Sequence, residues 1–264
     1  MTVIDQHNVH ISGAGPRPMM LAHGFGCDQN MWRFVAPAFE EDFRVIQFDL
    51  IGAGGSDLSA YDPEKYSRLE GYAEDVVELA EALGVRDGVF VGHSVSAMIG
   101  LLAIRKAPHL FSDLVMVGPS PRYIDDEAAG YVGGFSAAQI EELLDFLDQN
   151  HMGWSQAMAP TIMDNADRPE LAEELTNSFC RTDPDIAKRF ARATFTSDNR
   201  ADLAGFETRT LILQCAEDVI APQAVGQYLH RVLPNSELVL MEATGHCPNL
   251  SAPDETIRAI RAFV

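Results

Sequence analysis

The chain has 264 residues, 47% of them hydrophobic, enough for one large core. Lys and Arg number 19 against 39 Asp and Glu, a formal net charge of −20, and a surface this acidic repels phosphate backbones and anionic lipid, which argues against nucleic acid and membrane surfaces as partners. No basic-then-apolar leader opens the sequence, no apolar run suffices for a bilayer, and Cys27, Cys180, Cys215 and Cys247 lack C-x-x-C spacing, so the expectation is a cytoplasmic protein with reduced thiols.

In chain order, Val3 to Ser12 alternates weakly and ends in Ser12-Gly13-Ala14-Gly15-Pro16; with Met19 to Ala22 after it, this predicts an antiparallel hairpin entering a sheet. His23-Gly24-Phe25-Gly26 is a glycine-rich turn at a strand end. Gln29 to Phe39 carries Met31, Trp32 and Val35 at helical spacing, and Phe43 to Asp49 reads as a strand. Leu50 to Asp57 is a glycine-rich loop. Its Gly52-Ala53-Gly54-Gly55-Ser56 has the glycine density of a dinucleotide fingerprint, but no helix opens at its end, so nucleotide binding is rejected. Tyr66 to Leu83 reads as a helix stopped by Gly84.

Next comes the apolar strand Val89-Phe90-Val91, then Gly92-His93-Ser94-Val95-Ser96, then a helix from Val95 to Lys106. Strand, sharp turn and helix with serine at the turn is the geometry of the G-x-S-x-G nucleophile elbow of α/β-hydrolases, here with a small serine in the last place. The turn exposes the Ser94 hydroxyl and aims the Val95 N–H, at a helix N-terminus, toward a developing oxyanion. In such folds a turn like His23-Gly24-Phe25-Gly26 donates the second oxyanion N–H, here that of Phe25. Leu114 to Val117 is a further buried strand.

From Pro121 to Asp202 no convincing strand occurs; four amphipathic segments do, Ser136 to Asn150, Gly153 to Met163, Pro169 to Arg181 and Asp183 to Phe195. A helical insertion here reads as a lid over the carboxyl edge of the sheet. The expected division is a core of residues 1–120 and 203–264 with a lid of residues 121–202, in one compact domain. Phe25, Tyr123, Phe135, Trp154, Met158 and Phe195 are the expected pocket residues, apolar as small-molecule sites are. The sheet resumes at Thr210 to Cys215, a helix runs from Pro222 toward Leu233, Glu237 to Met241 is the last strand, and Asp254 to Val264 closes as a helix.

Ser94, Asp218 and His246 each follow the carboxyl end of a predicted strand, in the order found in α/β-hydrolases. His246 would take the serine proton and return it to the leaving group, while Asp218 fixes the imidazole tautomer. Glu217 is the competing acid; His93 reads as structural and His23 as part of the oxyanion turn. The histidines lack H-x-x-x-H or H-E-x-x-H spacing, so no metal is expected, and no cofactor.

Gly92-His93-Ser94-Val95-Ser96-Ala97-Met98 resembles the elbow of the plant strigolactone and karrikin receptors. Phe25 to Gln29, Val117 to Tyr123, Gly133-Gly134-Phe135, Phe179 to Pro184, Leu213 to Asp218 and Gly245-His246-Cys247-Pro248 resemble the RsbQ branch of bacterial stress-response hydrolases. The resemblance covers nearly the whole chain. It implies an α/β-hydrolase fold, a mostly parallel sheet flanked by helices, with a V-shaped four-helix lid over a hydrophobic pocket. It further implies a PAS-domain serine phosphatase partner, as for RsbQ, or ligand-triggered partner binding after slow butenolide hydrolysis, as in the plant receptors. Ser96 stands where the RsbQ elbow has glycine, and His23 where it has proline. The expected activity is serine hydrolysis of an ester or lactone of a small hydrophobic molecule. Its rivals are a slow-turnover sensor, in which Met152, Met158 and Met163 would let the lid repack, and a lyase or C–C hydrolase using the same residues.

Overall fold

The computed structural model describes residues 2–264. Its centre is a seven-stranded sheet in the order β1-β3-β2-β4-β5-β6-β7. The strands are β1 (His10–Ser12), β2 (Arg17–Ala22), β3 (Phe43–Phe48), β4 (Gly88–His93), β5 (Phe111–Val117), β6 (Arg209–Gln214) and β7 (Ser236–Leu240). All neighbours are parallel except β1 with β3.

Parallel strands covered on both faces are apolar along their whole length, and β4 is buried at every residue. Successive side chains leave on opposite faces. Met19, Leu21, Val89, Val91, Val115 and Val117 join one core, with Trp32, Phe39 and Phe263. Met20, Ala22, Phe90, Leu114 and Met116 join the other. That second layer is built from α2 (Leu69–Ala82) and α3 (Val95–Lys106), which follow the short α1 (Val3–Gln6) in the chain.

Two expectations are corrected. The N-terminal strand does not form a hairpin with β2; it pairs with β3 in the register His10↔Gln47, and β3 lies between them. Adjacency in sequence favoured a hairpin, but Gly13 to Pro16 carries the chain past an edge that β3 occupies. Gln29 to Phe39 is not one helix but two 3₁₀ turns, Gln29–Trp32 and Ala36–Phe39. Pro37 sits in the first turn of the second and has no N–H to continue an α-helical ladder. Trp32, Val35 and Phe39 are fully buried all the same.

Between β5 and β6 lie α4 (Ala137–Gln149), α5 (His151–Met163), α6 (Pro169–Arg181) and α7 (Pro184–Phe195). Ser136 opens α4 with a capping box closed by Gln139, and the Asp183 carboxylate accepts the Asp185 and Ile186 N–H groups at the start of α7. After β6 come α8 (Gln223–Val232), α9 (Pro248–Ser251) and α10 (Pro253–Phe263). Among the described residues no helix is long and apolar enough to cross a membrane.

Candidate active site

The strand of the elbow runs to His93, and Ser94 turns the chain with φ 56° and ψ −122°. A non-glycine residue held there costs about 1–3 kcal/mol and persists only where its surroundings over-determine it. Here the Ser94 N–H donates to the Val117 carbonyl at 2.8 Å, and its own carbonyl accepts the Ala97 N–H at 2.9 Å. Strand and helix pass so closely that a Cβ on Gly92 would fall 2.3 Å from the Ser96 carbonyl oxygen. The Ser96 side chain is accommodated and used: its hydroxyl donates to the His23 carbonyl at 2.5 Å. His23 Nε2 accepts the Leu50 N–H at 3.0 Å, which leaves the proton on Nδ1 to donate to the Gly24 carbonyl at 2.9 Å. The two positions that depart from the RsbQ pattern therefore meet, and they fasten the elbow to the turn that carries Phe25. Sequence reasoning weighed each departure singly; their joint occurrence was the available signal.

His246 lies in the loop after β7, with Nε2 2.7 Å from Ser94 Oγ and Nδ1 2.7 Å from Asp218 Oδ2. Asp218 follows β6, and its other oxygen accepts the Ile220 and Ala221 N–H groups at 2.8 and 3.1 Å. Burial pushes this carboxyl up, but His246 and the two backbone donors outweigh it and hold Asp218 below the ordinary value. The ionised Asp218 accepts the Nδ1–H hydrogen bond of His246, leaving Nε2 to accept from the Ser94 hydroxyl. Glu217 is exposed, and its contribution is a backbone one: its carbonyl accepts the Gly245 N–H at 2.8 Å and sets the two loops side by side. His93 donates from Nε2 to the His246 carbonyl at 2.7 Å, and burial with the neighbouring His246 pushes it down to about 3, so it stays neutral.

The insertion touches this machinery directly. The His246 N–H donates to the Ile162 carbonyl at 2.8 Å. Gly245, at φ 79°, lies so close to the end of α5 that a Cβ would fall 1.9 Å from the Met163 carbonyl oxygen. Above Ser94 and His246 is a narrow apolar cavity walled by Phe25, Ile162, Leu175, Phe179, Phe195 and Ile220. Helix α6 is held over the Phe25 turn by Ser178 Oγ donating to the Gly26 carbonyl at 2.7 Å, and by two Arg33–Glu174 bonds of 2.7 and 2.6 Å.

Of the expected pocket residues, Phe25 and Phe195 form the wall, with ring centres 5.9 Å apart. Trp154 and Tyr123 stand behind it, 5.2 Å from Phe179 and 5.1 Å from Phe195, and the Tyr123 hydroxyl is buried without a hydrogen-bond partner. Phe135 and Met158 are half-buried and pack against the core. Large side chains fill the seams between helices, while helix rotation brings Ile162, Leu175, Phe179 and Thr194 to the cavity. Among the described residues, neither the Phe25 nor the Val95 N–H has a hydrogen-bond acceptor, so both are available to a ligand oxygen.

The model of the alpha/beta hydrolase family matches residues 19–259, a span that holds the elbow, the acid and the imidazole. The chain belongs to the alpha/beta hydrolase family. Within that family it is similar to strigolactone esterase D14 of Arabidopsis thaliana, 36% identical over 98% of this chain and 96% of that protein. It is similar also to karrikin insensitive 2 receptor CA of Petunia hybrida, 38% identical over 97% of this chain and 94% of that protein. A hydrolase from Oleispira antarctica superposes with a TM-score of 0.96 at 43% identity, covering 99% of this chain and 95% of that one. Alpha/beta hydrolases named for an esterase and for a receptor thus align with this chain along nearly its full length.

Proposed function

We propose that this protein is a serine hydrolase that cleaves an ester or lactone, butenolide-like, bond of a small hydrophobic molecule. The observation that carries this reading is the pair of 2.7 Å contacts joining Ser94, His246 and Asp218 beneath an apolar cavity. His246 Nε2 takes the Ser94 proton as Oγ attacks the carbonyl carbon. The Phe25 and Val95 N–H groups receive the oxyanion, and the imidazolium, held by Asp218, protonates the departing alkoxide. Water, activated by the same imidazole, then releases the acid from Ser94 and restores the hydroxyl.

The test is incubation with a panel of butenolides and short-chain esters, followed by turnover and by intact-mass analysis for an adduct on Ser94 or His246. Ser94→Ala is expected to lose turnover by about 10⁴-fold or more and to form no adduct on residue 94. Full activity in that variant sinks the reading.

A second reading is a slow-turnover sensor that recruits a protein partner through the insertion. The bond from His246 N–H to the Ile162 carbonyl supports it, because ligand-driven movement of α5 would be felt at the site and the reverse. The RsbQ-like stretches point to a signalling output with a PAS-domain serine phosphatase, and the relatives named as receptors support a signalling output. Unchanged protease sensitivity of residues 137–195 on ligand addition would count against the sensor.

A further inference from the structure

Several hydroxyl residues on or at the ends of the insertion's helices bond to the carbonyl one turn back. Ser155 donates to His151 at 2.8 Å, Thr161 to Ala157 at 3.3 Å, Thr176 to Ala172 at 2.8 Å and Thr196 to Arg192 at 2.7 Å. Thr194, in the last turn of α7, does not. Its residue is 1% exposed, its Oγ1 has no hydrogen-bond partner, and it lines the cavity that holds Ser94 and His246. A buried hydroxyl left unpaired is costly, and a helix offers threonine an easy remedy that this one forgoes.

Most of the wall gives the hydroxyl nothing to bond, and Ser94 Oγ and His246 Nε2, which also line the cavity, are bonded to each other. Phe25, Phe179, Phe195, Leu175 and Ile220 are apolar. The Cys27 thiol, pushed up to about 12 by burial, is a neutral and weak partner. His93 Nδ1 is also unpaired but is covered: a Cβ on Gly24 would fall 2.4 Å from it.

We propose that Thr194 is a specificity-determining residue whose hydroxyl bonds a second oxygen of the substrate, one separate from the scissile carbonyl. The cavity would then select esters or lactones that carry an additional ether, alkoxy or carbonyl oxygen over their hydrocarbon isosteres. An acceptor oxygen suits the site because it has no proton of its own to leave unpaired against aromatic walls. The identity of the scissile group rests on the hydrolase reading above; the hydrogen bond to Thr194 does not.

The experiment therefore reads binding in Ser94→Ala protein, where turnover is removed. Dissociation constants are measured by tryptophan fluorescence for butyl pentanoate and for the isosteres in which one methylene, on the acyl or the alkoxy side, is exchanged for oxygen. At least one isostere is expected to bind on the order of tenfold tighter than butyl pentanoate. Thr194→Val, which keeps the shape and removes the hydroxyl, is expected to abolish that ratio, and Thr194→Ser to keep it. No isostere gaining over the hydrocarbon, or a gain that survives Thr194→Val, overturns the proposal. Protein with Ser94 intact that shows the gain in binding but cleaves none of these esters breaks the hydrolase reading and leaves this one standing.

Discussion

The floor and the roof of the cavity are built on different terms. On the floor, Ser94, His246, Asp218, His93, Ser96 and His23 are each tied by short hydrogen bonds to strand ends that share one sheet. The roof is aromatic and aliphatic over the cavity, and its hydrogen bonds to the rest of the molecule include Ile162 to His246, Asp164 and Asn165 to Thr244, Arg168 to Ser251, Ser178 to Gly26 and the Arg33–Glu174 pair. Interlocked buried hydrogen bonds specify one geometry, whereas apolar packing tolerates several. On the proposed reading, the reaction chemistry would fall to the interlocked part and selection of the reactant to the apolar part.

The largest expected effect breaks the floor. Asp218→Asn keeps the size of the side chain but favours the wrong imidazole tautomer, and kcat should fall by about 10³–10⁴-fold with little change in fold. Circular dichroism and single-turnover kinetics check this together.

Next comes the proton balance of the floor. His93 has an ordinary value of 6.5 and is held at about 3 in the folded protein, so the unfolded chain binds more protons between those values. Stability should decline as pH falls from about 6.5 toward about 3, on the order of a few kcal/mol in all. Asp218, also held low, adds its loss only below its ordinary value of 3.8, as pH falls through its folded value. Urea midpoints against pH should show the slope, and His93→Gln, which keeps a donor for the His246 carbonyl, should flatten its upper part.

A smaller effect is expected at the join between floor and turn. Ser96→Ala frees the His23 carbonyl and loosens the Phe25 N–H, and kcat should drop roughly five- to tenfold with KM nearly held, in line with about 1–1.4 kcal/mol for a neutral hydrogen bond. The smallest should come from the roof: Ser178→Ala removes the bond to the Gly26 carbonyl, and KM should rise about two- to fivefold while kcat changes less. If Ser178→Ala proved as damaging to kcat as Ser96→Ala, the division between floor and roof would fail.

The same division separates what was legible in the sequence from what was not. Strand-end residues were legible because strand, turn and helix patterns locate them: Ser94 between Val91 and Val95, Asp218 after Cys215, His246 after Met241. The helix bounds Val95–Lys106 and Pro169–Arg181 were legible from proline and charge punctuation. What depends on rotation and long-range pairing was not. The partner of β1 is set by which edge β3 takes. The cavity wall is set by the angle at which α5, α6 and α7 roll onto the sheet, so size pointed to Trp154, Tyr123, Phe135 and Met158 while Ile162, Leu175 and Thr194 came to face the space. The contact between Ser96 and His23 joins residues far apart in the chain, and no local pattern announces it.

The amide proton of His246 ends on the carbonyl of Ile162, one residue before α5 closes. In the proposed reaction, the imidazole that would shuttle the proton is thus hung partly from the helices that roof the cavity. Opening the roof should idle the reaction and closing it should re-arm it, a safety catch made from one backbone bond.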